Sequence, residues 1–280
     1  MIAAHGPAAD LSHVMQTARA VVLARGLGTR MREPDPDAHL SEAQQRAADA
    51  GSKMMVPVHG RPFLDYVLGA LADAGIADVA LVVAPDHDGI RAHYAAHPTA
   101  RVSLSFVVQP EALGTANAVL AAEAWTAGAP FLVMNADNLY PVAALRDLAS
   151  LAEPGLTAFE RDDLVRTSNI PAERILAFAL VDVDDDGYLT AIVEKPARIE
   201  RKNVFVSMNC WRFDRRIFEA CRGVARSVRG EFELPEAVAG AVRRGVRFKA
   251  IRAAGPVLDL SRRADTADIE RRLAGVDPRP

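Results

Sequence analysis

Residues 20–32 of the chain read AVVLARGLGTRMR, and their types and spacing suit a bound phosphate. The apolar run 21–23 predicts a buried strand that leads into a loop with two glycines. Glycines let backbone N–H groups approach phosphate oxygens closely, and Arg30 adds a charged donor that binds two oxygens at once. Such charged hydrogen bonds contribute roughly 1.5–3 kcal/mol each, so several together hold a triphosphate in one pose. A phosphorylated ligand therefore explains the loop better than a plain surface turn.

The loop fits neither of two familiar nucleotide-binding signatures. A dinucleotide fingerprint needs a third glycine where Met31 stands and an acidic residue at the end of a second strand, which is missing at a suitable distance. A Walker loop needs Gly-Lys followed by Ser or Thr, which is also missing. The ligand must therefore be identified from residues elsewhere in the chain.

The residue spacing in two polar clusters argues against metal binding by either of them. Residues 182–187, DVDDDG, imitate the start of a calcium loop, but Val193 stands where the glutamate should be and the flanks are predicted strands. His93 and His97 lie four residues apart on a predicted helix, without a glutamate or cysteine to complete a zinc site. We interpret the first cluster as an exposed hairpin turn and the second as surface histidines.

The composition is that of an ordinary globular protein. Half of the 280 residues are hydrophobic, a quarter are charged and the net charge is −3, so no overall positive field exists for nucleic acid or an anionic membrane. Two cysteines are too few for a disulfide framework and fit a reducing compartment. No signal peptide is visible, and no apolar run approaches the roughly 18 residues of a membrane helix. We expect a cytoplasmic protein that binds neither nucleic acid nor membrane.

Strands and helices alternate through the first half of the chain. The predicted strands there are 19–24, 78–84, 102–108 and 130–134, and the predicted helices are 62–74, 115–125 and 141–151. This alternation is typical of a parallel sheet with right-handed crossovers, which binds ligands at the carboxyl ends of its strands. We expect the α/β class, with a Rossmann-like, mostly parallel sheet flanked by helices.

The second half is richer in strands. The predicted strands are 175–182, 188–194 and 204–213, and the predicted helices are 233–243 and a segment near 262–273. These strands predict a β-rich substrate lobe on the α/β domain. The polar stretch 33–52 is a loop or short helix and a candidate mobile lid.

The glycine loop resembles the G-x-G-T-R-[LM] signature of the sugar-1-phosphate nucleotidyltransferases, the pyrophosphorylases that make nucleotide sugars. Six other segments resemble motifs of that family in the family's order: KMMVPVHGRPFLDYVL (53–68), QPEALGTANAV (109–119), FLVMNADNLYP (131–141), VEKP (193–196), VSMNCWRFD (206–214) and VLDLSRRAD (257–265). The last two are divergent forms. The resemblance implies that an NTP and a sugar 1-phosphate, or a sugar-like cyclitol phosphate, give an NDP-sugar and pyrophosphate by in-line attack on the α-phosphate.

The resemblance also implies a role for each matched residue. Residues 1–18 would be an amino-terminal extension and 19–280 a single domain, divided into a nucleotide-binding half (19–140) and a sugar-phosphate-binding half (141–280). The nucleotide-binding residues would be Leu23, Ala24, Arg25, Gly26, Gly28, Thr29, Gln109, Gly114 and Thr115. The catalytic residues would be Arg30 on the leaving pyrophosphate, Lys53 on the α- and β-phosphates, and Asp137. The sugar-phosphate-binding residues would be Glu194, Lys195 and Asn209.

Magnesium is the implied cofactor, with Asp137 and Asp259 as its ligands. Two carboxylates, bound phosphates and water make the set of oxygen ligands that Mg²⁺ prefers. The surroundings of Asp259 depart from the family pattern, since Val257 and Ser261 replace the family's Trp and Gly. Arg25 is also a departure, because the family usually has a small residue there; it either contacts a phosphate, which we favour, or points to solvent.

Residues 206–213 depart further, because Ser207-Met208-Asn209-Cys210-Trp211 stands where the family has Asn-x-Gly-x-Tyr. Side chains would then lie where the family has bare backbone beside the sugar, which suggests an altered sugar pocket. Gln109 suits uracil or thymine, but the nucleobase and the sugar both stay open at this point.

Two other function classes are open alternatives. A non-catalytic relative that binds a nucleotide sugar and regulates a partner is disfavoured, because Arg30, Lys53 and Asp137 are all present. A glycosyltransferase of related fold would carry an Asp-x-Asp motif, whereas residues 135–137 supply only the second acid. No hexapeptide repeats follow, so we expect no carboxy-terminal β-helix domain. A homo-oligomer stays open, with 233–243 and the amino-terminal extension as candidate contacts.

Overall fold

The computed structural model describes residues 17–199 and 205–280. Its strands are β1 (Arg19–Leu23), β2 (Pro57–Val58), β3 (Arg61–Pro62), β4 (Asp78–Val83), β5 (Ser103–Val108), β6 (Phe131–Asn135), β7 (Asn138–Leu139), β8 (Gly155–Glu160), β9 (Ala179–Val183), β10 (Leu189–Val193), β11 (Phe205–Ser207), β12 (Trp211–Phe213), β13 (Lys249–Ala253) and β14 (Leu258–Asp259). Its α-helices are α1 (Thr29–Arg32), α2 (Glu42–Asp49), α3 (Phe63–Asp73), α4 (Asp88–Ala96), α5 (Thr115–Ala121), α6 (Glu123–Thr126), α7 (Val142–Ser150), α8 (Arg161–Thr167), α9 (Arg216–Gly223), α10 (Leu234–Arg243) and α11 (Asp265–Arg272). Two 3-10 turns lie at Lys53–Met55 and Ala172–Ala177.

Ten strands form one mixed sheet in the order β10-β9-β11-β8-β12-β6-β1-β4-β5, with β13 on the other edge of β8. The neighbours β6, β1, β4 and β5 run parallel, and β13 runs parallel to β8. The neighbours from β6 out to β10 run antiparallel. The expected α/β sheet flanked by helices is confirmed, and its antiparallel edge is the β-rich part predicted for the second half.

The sheet is covered on both faces because its strands alternate between two apolar clusters. In β1, Ala20 and Val22 face one cluster while Val21 faces the other. The first cluster takes its helical residues mainly from α3, α7 and α4, and the second from α5, α9 and α10. Helices on both faces leave the carboxyl ends of the parallel strands as the open edge for a ligand.

Three predicted segments differ from the structure. Residues 175–177 belong to a 3-10 turn rather than a strand, because Pro171 begins a turn that carries Arg174 into the interior. The strand predicted at 204–213 is interrupted between β11 and β12, and Val204 lies outside the described residues. The predicted helix 115–125 is divided into α5 and α6 at Ala122.

The polar stretch 33–52 contains α2, which is fixed to the rest of the molecule rather than free. Ser41 and Gln44 form a capping box at its start. The Gln44 side chain also donates to Glu270 of α11 at 2.7 Å. This segment therefore packs on α11, and nothing in these contacts supports the mobile lid expected from its composition.

The division into halves at residue 140 stays a prediction, and most of the extension 1–18 lies outside the described residues. Within 17–199 and 205–280, no helix combines the length and apolar character that crossing a bilayer requires.

Candidate active site

Two adjoining cavities open at the carboxyl ends of β1 and β6. The nucleotide cavity, about 260 Å³, is lined by Leu23, Arg25, Gly26, Gln109, Gly114 and Thr115 among others. The acceptor cavity, about 380 Å³, is lined by Thr29, Arg30, Glu194, Lys195, Asn209 and Asp259 among others. Lys53 and Asp137 line both cavities, so they stand where the two spaces meet. The structure therefore brings together the predicted site residues with one exception, Ala24, which is fully buried and lines neither cavity.

The glycine loop ends in α1, a single turn whose N-cap is Gly28. The Gly28 backbone has φ +63°, and a Cβ on this residue would collide with the Gly51 carbonyl. Glycine is therefore required at this position for two reasons, the left-handed backbone and the close approach of the Gly51 carbonyl. Arg30 is exposed at the cavity, and no described residue forms an ion pair or hydrogen bond with its guanidinium group.

A buried arginine from the carboxy-terminal half holds this loop in place. Arg263 donates to the Met31 carbonyl at 2.9 Å and to the Arg32 carbonyl at 3.2 Å. It also pairs with Asp49 of α2 at 2.6 Å. The Arg263 side chain therefore joins the glycine loop, the 33–52 segment and the region of Asp259.

Lys53 and Asp137 form an ion pair at the junction of the cavities, and both side chains are less than one-fifth exposed. Burial alone would lower the pKa of Lys53, but the charge and hydrogen bond of Asp137 outweigh it and raise that pKa above its ordinary value. Lys53 therefore stays protonated at neutral pH and presents a fixed positive charge to a phosphate.

Asp259 lies in a buried network behind this pair. Its carboxylate accepts from Asn138 Nδ2 at 3.0 Å, from the Ser261 hydroxyl at 3.0 and 3.1 Å, and from Arg174. Arg174 also donates to Asp265 at 2.7 Å. Burial, followed by the charge of Asp137, raises the pKa of Asp259 to about 6 against the opposing effect of Arg174. The Ser261 that departs from the family pattern is therefore a direct partner of the aspartate.

The two carboxylates differ in what they have available for a metal ion. Asp137 lines both cavities, and no described residue donates a hydrogen bond to its Oδ1. Both oxygens of Asp259 already accept hydrogen bonds, although the Ser261 donor is a rotatable hydroxyl. No group of three or more His, Cys, Asp or Glu suitable for a metal occurs in the described residues. A cation here would need oxygens from the substrates, which suits an ion that binds together with phosphates.

Gln109 is buried with a fixed orientation in the nucleotide cavity. Its Nε2 donates to the Gly114 carbonyl at 3.1 Å and to Asn117 Oδ1 at 2.8 Å. Because the Gly114 carbonyl can only accept, the amide nitrogen must face it, and Oε1 is left as an acceptor for a ligand. Gly114 itself has φ +103°, and a Cβ there would stand 2.6 Å from the Phe232 carbonyl, so a close backbone contact also requires this glycine.

The Arg25 side chain is held by two backbone carbonyls and does not point free into solvent. Its Nε donates to the Gln109 carbonyl at 2.8 Å and its Nη2 to the Pro110 carbonyl at 3.1 Å. The side chain therefore joins the glycine loop to the loop that carries Gln109. A contact between Arg25 and a phosphate stays a prediction.

Glu194 and Lys195 lie at the far side of the acceptor cavity. Glu194 is near Lys195 Nζ at 3.6 Å and Arg229 Nη2 at 3.4 Å, and Arg229 also pairs with Glu233 at 2.6 Å. Burial raises the pKa of Glu194 in spite of these cations. Lys195 has φ +44°, an unfavourable backbone for a residue with a Cβ that is concentrated at functional sites.

Asn209 occupies the position of the family's glycine and adopts the backbone that a glycine would, with φ +62°. Asparagine tolerates this left-handed conformation better than most residues. Its amide donates to Asn135 Oδ1 at 2.7 Å and accepts from Trp211 Nε1 at 2.8 Å. The side chain therefore connects the end of β6 to β12 while it lines the cavity.

Sequence reasoning missed Arg174, Asn138, Arg229 and Glu233. Arg174 and Asn138 bind Asp259 from distant segments, and no local sequence pattern predicts these contacts. Arg229 and Glu233 carry a weak signal, since the charged run RGEFE precedes the apolar helix α10.

Comparison with known proteins defines the class to which this fold and site belong. The family model described as nucleotidyl transferase matches residues 19–255. The chain therefore belongs to the nucleotidyl transferase family, and the resemblance in the glycine loop and the later motifs is confirmed.

Named relatives narrow the class. The chain is 29% identical over 262 residues to glucose-1-phosphate thymidylyltransferase of Streptomyces antibioticus, covering 93% of this chain and 68% of the relative. It is 31% identical over 220 residues to the Streptomyces griseus enzyme of the same name, where it spans 56% of the relative. It is 29% identical to the UTP–glucose-1-phosphate uridylyltransferase AglF of Haloferax volcanii, covering 91% of this chain and 96% of the relative. These names favour the nucleotidyltransferase over a glycosyltransferase or a regulatory relative.

The fold agrees with a solved structure. UDP-glucose pyrophosphorylase complexed with UDP-glucose is similar with a TM-score of 0.74, covering 92% of this chain and 98% of that chain at 17% sequence identity. At this identity the likeness establishes the shared fold alone.

Proposed function

We propose that the protein joins an NTP to a sugar 1-phosphate, giving an NDP-sugar and pyrophosphate. The observation that carries the proposal is the continuity of the two cavities, with Lys53 and Asp137 at their junction. Gln109 lines the nucleotide cavity, Glu194 and Lys195 line the acceptor cavity, and the glycine loop runs along both, with Arg30 on the acceptor side. An acceptor phosphate would thus meet the α-phosphate beside Lys53.

The chemistry requires alignment of two polyanions and neutralisation of their charge. The sugar phosphate oxygen forms a bond to the α-phosphorus, and the bond from that phosphorus to the bridging oxygen of pyrophosphate breaks on the opposite side. We assign Lys53 to the α-phosphate and Arg30 to the leaving pyrophosphate, because preorganised cations act where negative charge develops. We assign Lys195 to the acceptor phosphate and Glu194 to sugar hydroxyls.

Mg²⁺ is the proposed cofactor, held by Asp137 through its free oxygen and by Asp259, whose Ser261 donor turns by rotation about one bond. When bound, it would neutralise phosphate charge at the reacting group.

A cytoplasmic location, the domain division and a homo-oligomer likewise stay proposals. The two buried free cysteines, Cys210 and Cys221, suit a reducing compartment.

We propose uracil or thymine as the base. The free Oε1 of Gln109 accepts a hydrogen bond from a ring N–H, which uracil and thymine have at N3 and cytosine lacks. The relatives named above are uridylyl- and thymidylyltransferases, in agreement with this assignment.

Exchange of Gln109 tests the base assignment. We expect wild-type protein to prefer UTP or dTTP over CTP by about tenfold or more in kcat/KM, since cytosine has no N3–H to donate to Gln109 Oε1. Gln109→Ala should reduce that ratio towards one, whereas Gln45→Ala, on the exposed face of α2, should keep it. A wild-type preference for CTP would contradict the assignment.

Pyrophosphate release tests the reaction itself. With Mg²⁺, each of ATP, GTP, UTP, CTP and dTTP, and a panel of sugar 1-phosphates, we expect release that needs both substrates. Arg30→Ala should lower kcat by about 100-fold, the typical effect of removing one preorganised donor to a developing anion. The control is Arg46→Ala, whose side chain is 72% exposed on α2. Release with no added sugar phosphate, or full activity of Arg30→Ala, would argue against the proposal.

A further inference from the structure

A third cavity, about 700 Å³, lies beyond the acceptor cavity, between the loop 223–229 and α10. Four residues line both spaces: Glu194, Lys195, Arg229 and Glu233. The pairs of Arg229 with Glu194 and Glu233 therefore lie where the two spaces meet. Its volume is in the range of small-molecule sites, which occupy about 300–1,000 Å³.

The far side of this cavity carries more positive than negative charge. It is lined by Arg226, Arg243 and Arg244, and we name it the arginine pocket. Arg226 lies over the Phe232 ring at 5.1 Å. Across the described ranges, no carboxylate forms an ion pair with any of these three arginines. Apart from the residues shared with the acceptor cavity, Glu236 supplies the cavity's one carboxylate, so three guanidinium groups outnumber it and their excess charge favours an anion.

Gly240 lets two of these arginines approach the same point on α10. If it had a Cβ, Nη1 of Arg244 would lie 3.4 Å from that atom and Nη2 of Arg243 3.7 Å from it. The two guanidinium groups therefore converge over a helix position without a side chain. Two like charges placed this close repel each other, and an anion between them relieves the repulsion.

We propose that the acceptor is an acidic sugar 1-phosphate, whose second anionic group binds in the arginine pocket while its 1-phosphate binds in the acceptor cavity. This inference rests on the proposed function and specifies its substrate class. Glu194 and Glu233 line the space between the two cationic sites, where they suit the neutral hydroxyls of the ring. The shared chemistry is an anionic substituent, which is either a carboxylate or a phosphate.

Three acceptors distinguish the sources of that charge: glucose 1-phosphate, glucuronic acid 1-phosphate and glucose 1,6-bisphosphate. With the preferred NTP and Mg²⁺, we expect kcat/KM for one of the acidic acceptors to exceed that for glucose 1-phosphate by about tenfold or more. The better acidic acceptor identifies the substituent as carboxylate or phosphate.

The double variant Arg243→Gln with Arg244→Gln should abolish this preference and leave kcat/KM for glucose 1-phosphate within about twofold. Arg247→Gln is the matched control, because Arg247 lies over the Tyr188 ring at 3.5 Å and does not line the pocket. Thermal unfolding of each variant checks the fold, and each single variant replaces the double one if it unfolds.

The proposal is overturned if both acidic acceptors are no better than glucose 1-phosphate, or if the preference survives in the double variant. In either case glucose 1-phosphate still releases pyrophosphate, and the proposed function stands. Absence of release with every acceptor and every NTP overturns the proposed function, and this inference falls with it.

Discussion

Asp137→Asn is expected to lower kcat by on the order of 1,000-fold, the largest effect of any single exchange in the site. The amide keeps the size of the side chain but removes the charge that pairs with Lys53. It also removes the carboxylate proposed to bind Mg²⁺. The measurement is pyrophosphate release with saturating NTP and sugar 1-phosphate, over a range of Mg²⁺ concentrations.

The same exchange should change the titration of Lys53. In the wild-type protein, Asp137 outweighs burial and raises the pKa of Lys53. Without that charge, burial dominates and the pKa falls below its ordinary value, so residual activity should decline at a lower pH than wild-type activity.

Asp88→Asn is the control for Asp137→Asn, because Asp88 is 90% exposed and pairs only weakly with Arg91, at 3.5 Å. It should retain wild-type kcat. A variant Asp137→Asn that keeps more than about one-tenth of wild-type kcat would remove Asp137 from the catalytic role.

Arg174→Met should have the largest effect on stability. Arg174 is 7% exposed, and its partners Asp259 and Asp265 are 2% and 8% exposed. Removal of one partner leaves buried charge uncompensated, which typically costs about 3–5 kcal/mol in free energy of unfolding. Urea unfolding measures the loss. Arg271→Met, whose side chain is 70% exposed on α11, should change the free energy by less than about 0.5 kcal/mol.

The loss in free energy of unfolding caused by Arg174→Met should depend on pH, because Asp259 titrates. In the wild-type protein, burial and Asp137 raise the pKa of Asp259 to about 6, above the value of about 4 in the unfolded chain. The folded state therefore keeps a proton between pH 4 and 6 that the unfolded state releases. The contribution of this group to stability is highest below pH 4 and declines as the pH rises to 6.

The charge of Arg174 lowers the pKa of Asp259, so its removal should raise that pKa further. The decline in stability with rising pH should then extend above pH 6. The deficit of Arg174→Met relative to wild type should thus be smaller at pH 4.5 than at pH 7.5. Addition of Asp259→Asn should restore part of the stability, because it removes one of the stranded charges. A deficit that is equal at both pH values would show that Asp259 does not titrate in this way.

The strands of the antiparallel part show where local patterns fall short. In β8, Leu156, Thr157, Ala158 and Phe159 are all buried, so the run has no alternation of apolar and polar residues. Such a run is indistinguishable from a buried helix segment by periodicity. Its two faces are buried in the two apolar clusters, and β12 and β13 pair with its edges, so its burial depends on residues far apart in the chain.

The sequence by itself determined the α/β class and the glycine loop, and its resemblance to the family predicted a site at Arg30, Lys53, Gln109, Asp137, Glu194 and Lys195. Each of these residues lies in a short segment that can be recognised locally, such as glycines before an arginine or an acid after an apolar strand. Only the tertiary structure decided that Arg174 binds Asp259 and Asp265, which lie 85 and 91 positions away. It alone also placed Arg229 between Glu194 and Glu233 and brought Arg226 into one pocket with Arg243 and Arg244. Contacts at such separations depend on how the sheet orders its strands, and no periodicity within a segment records that order.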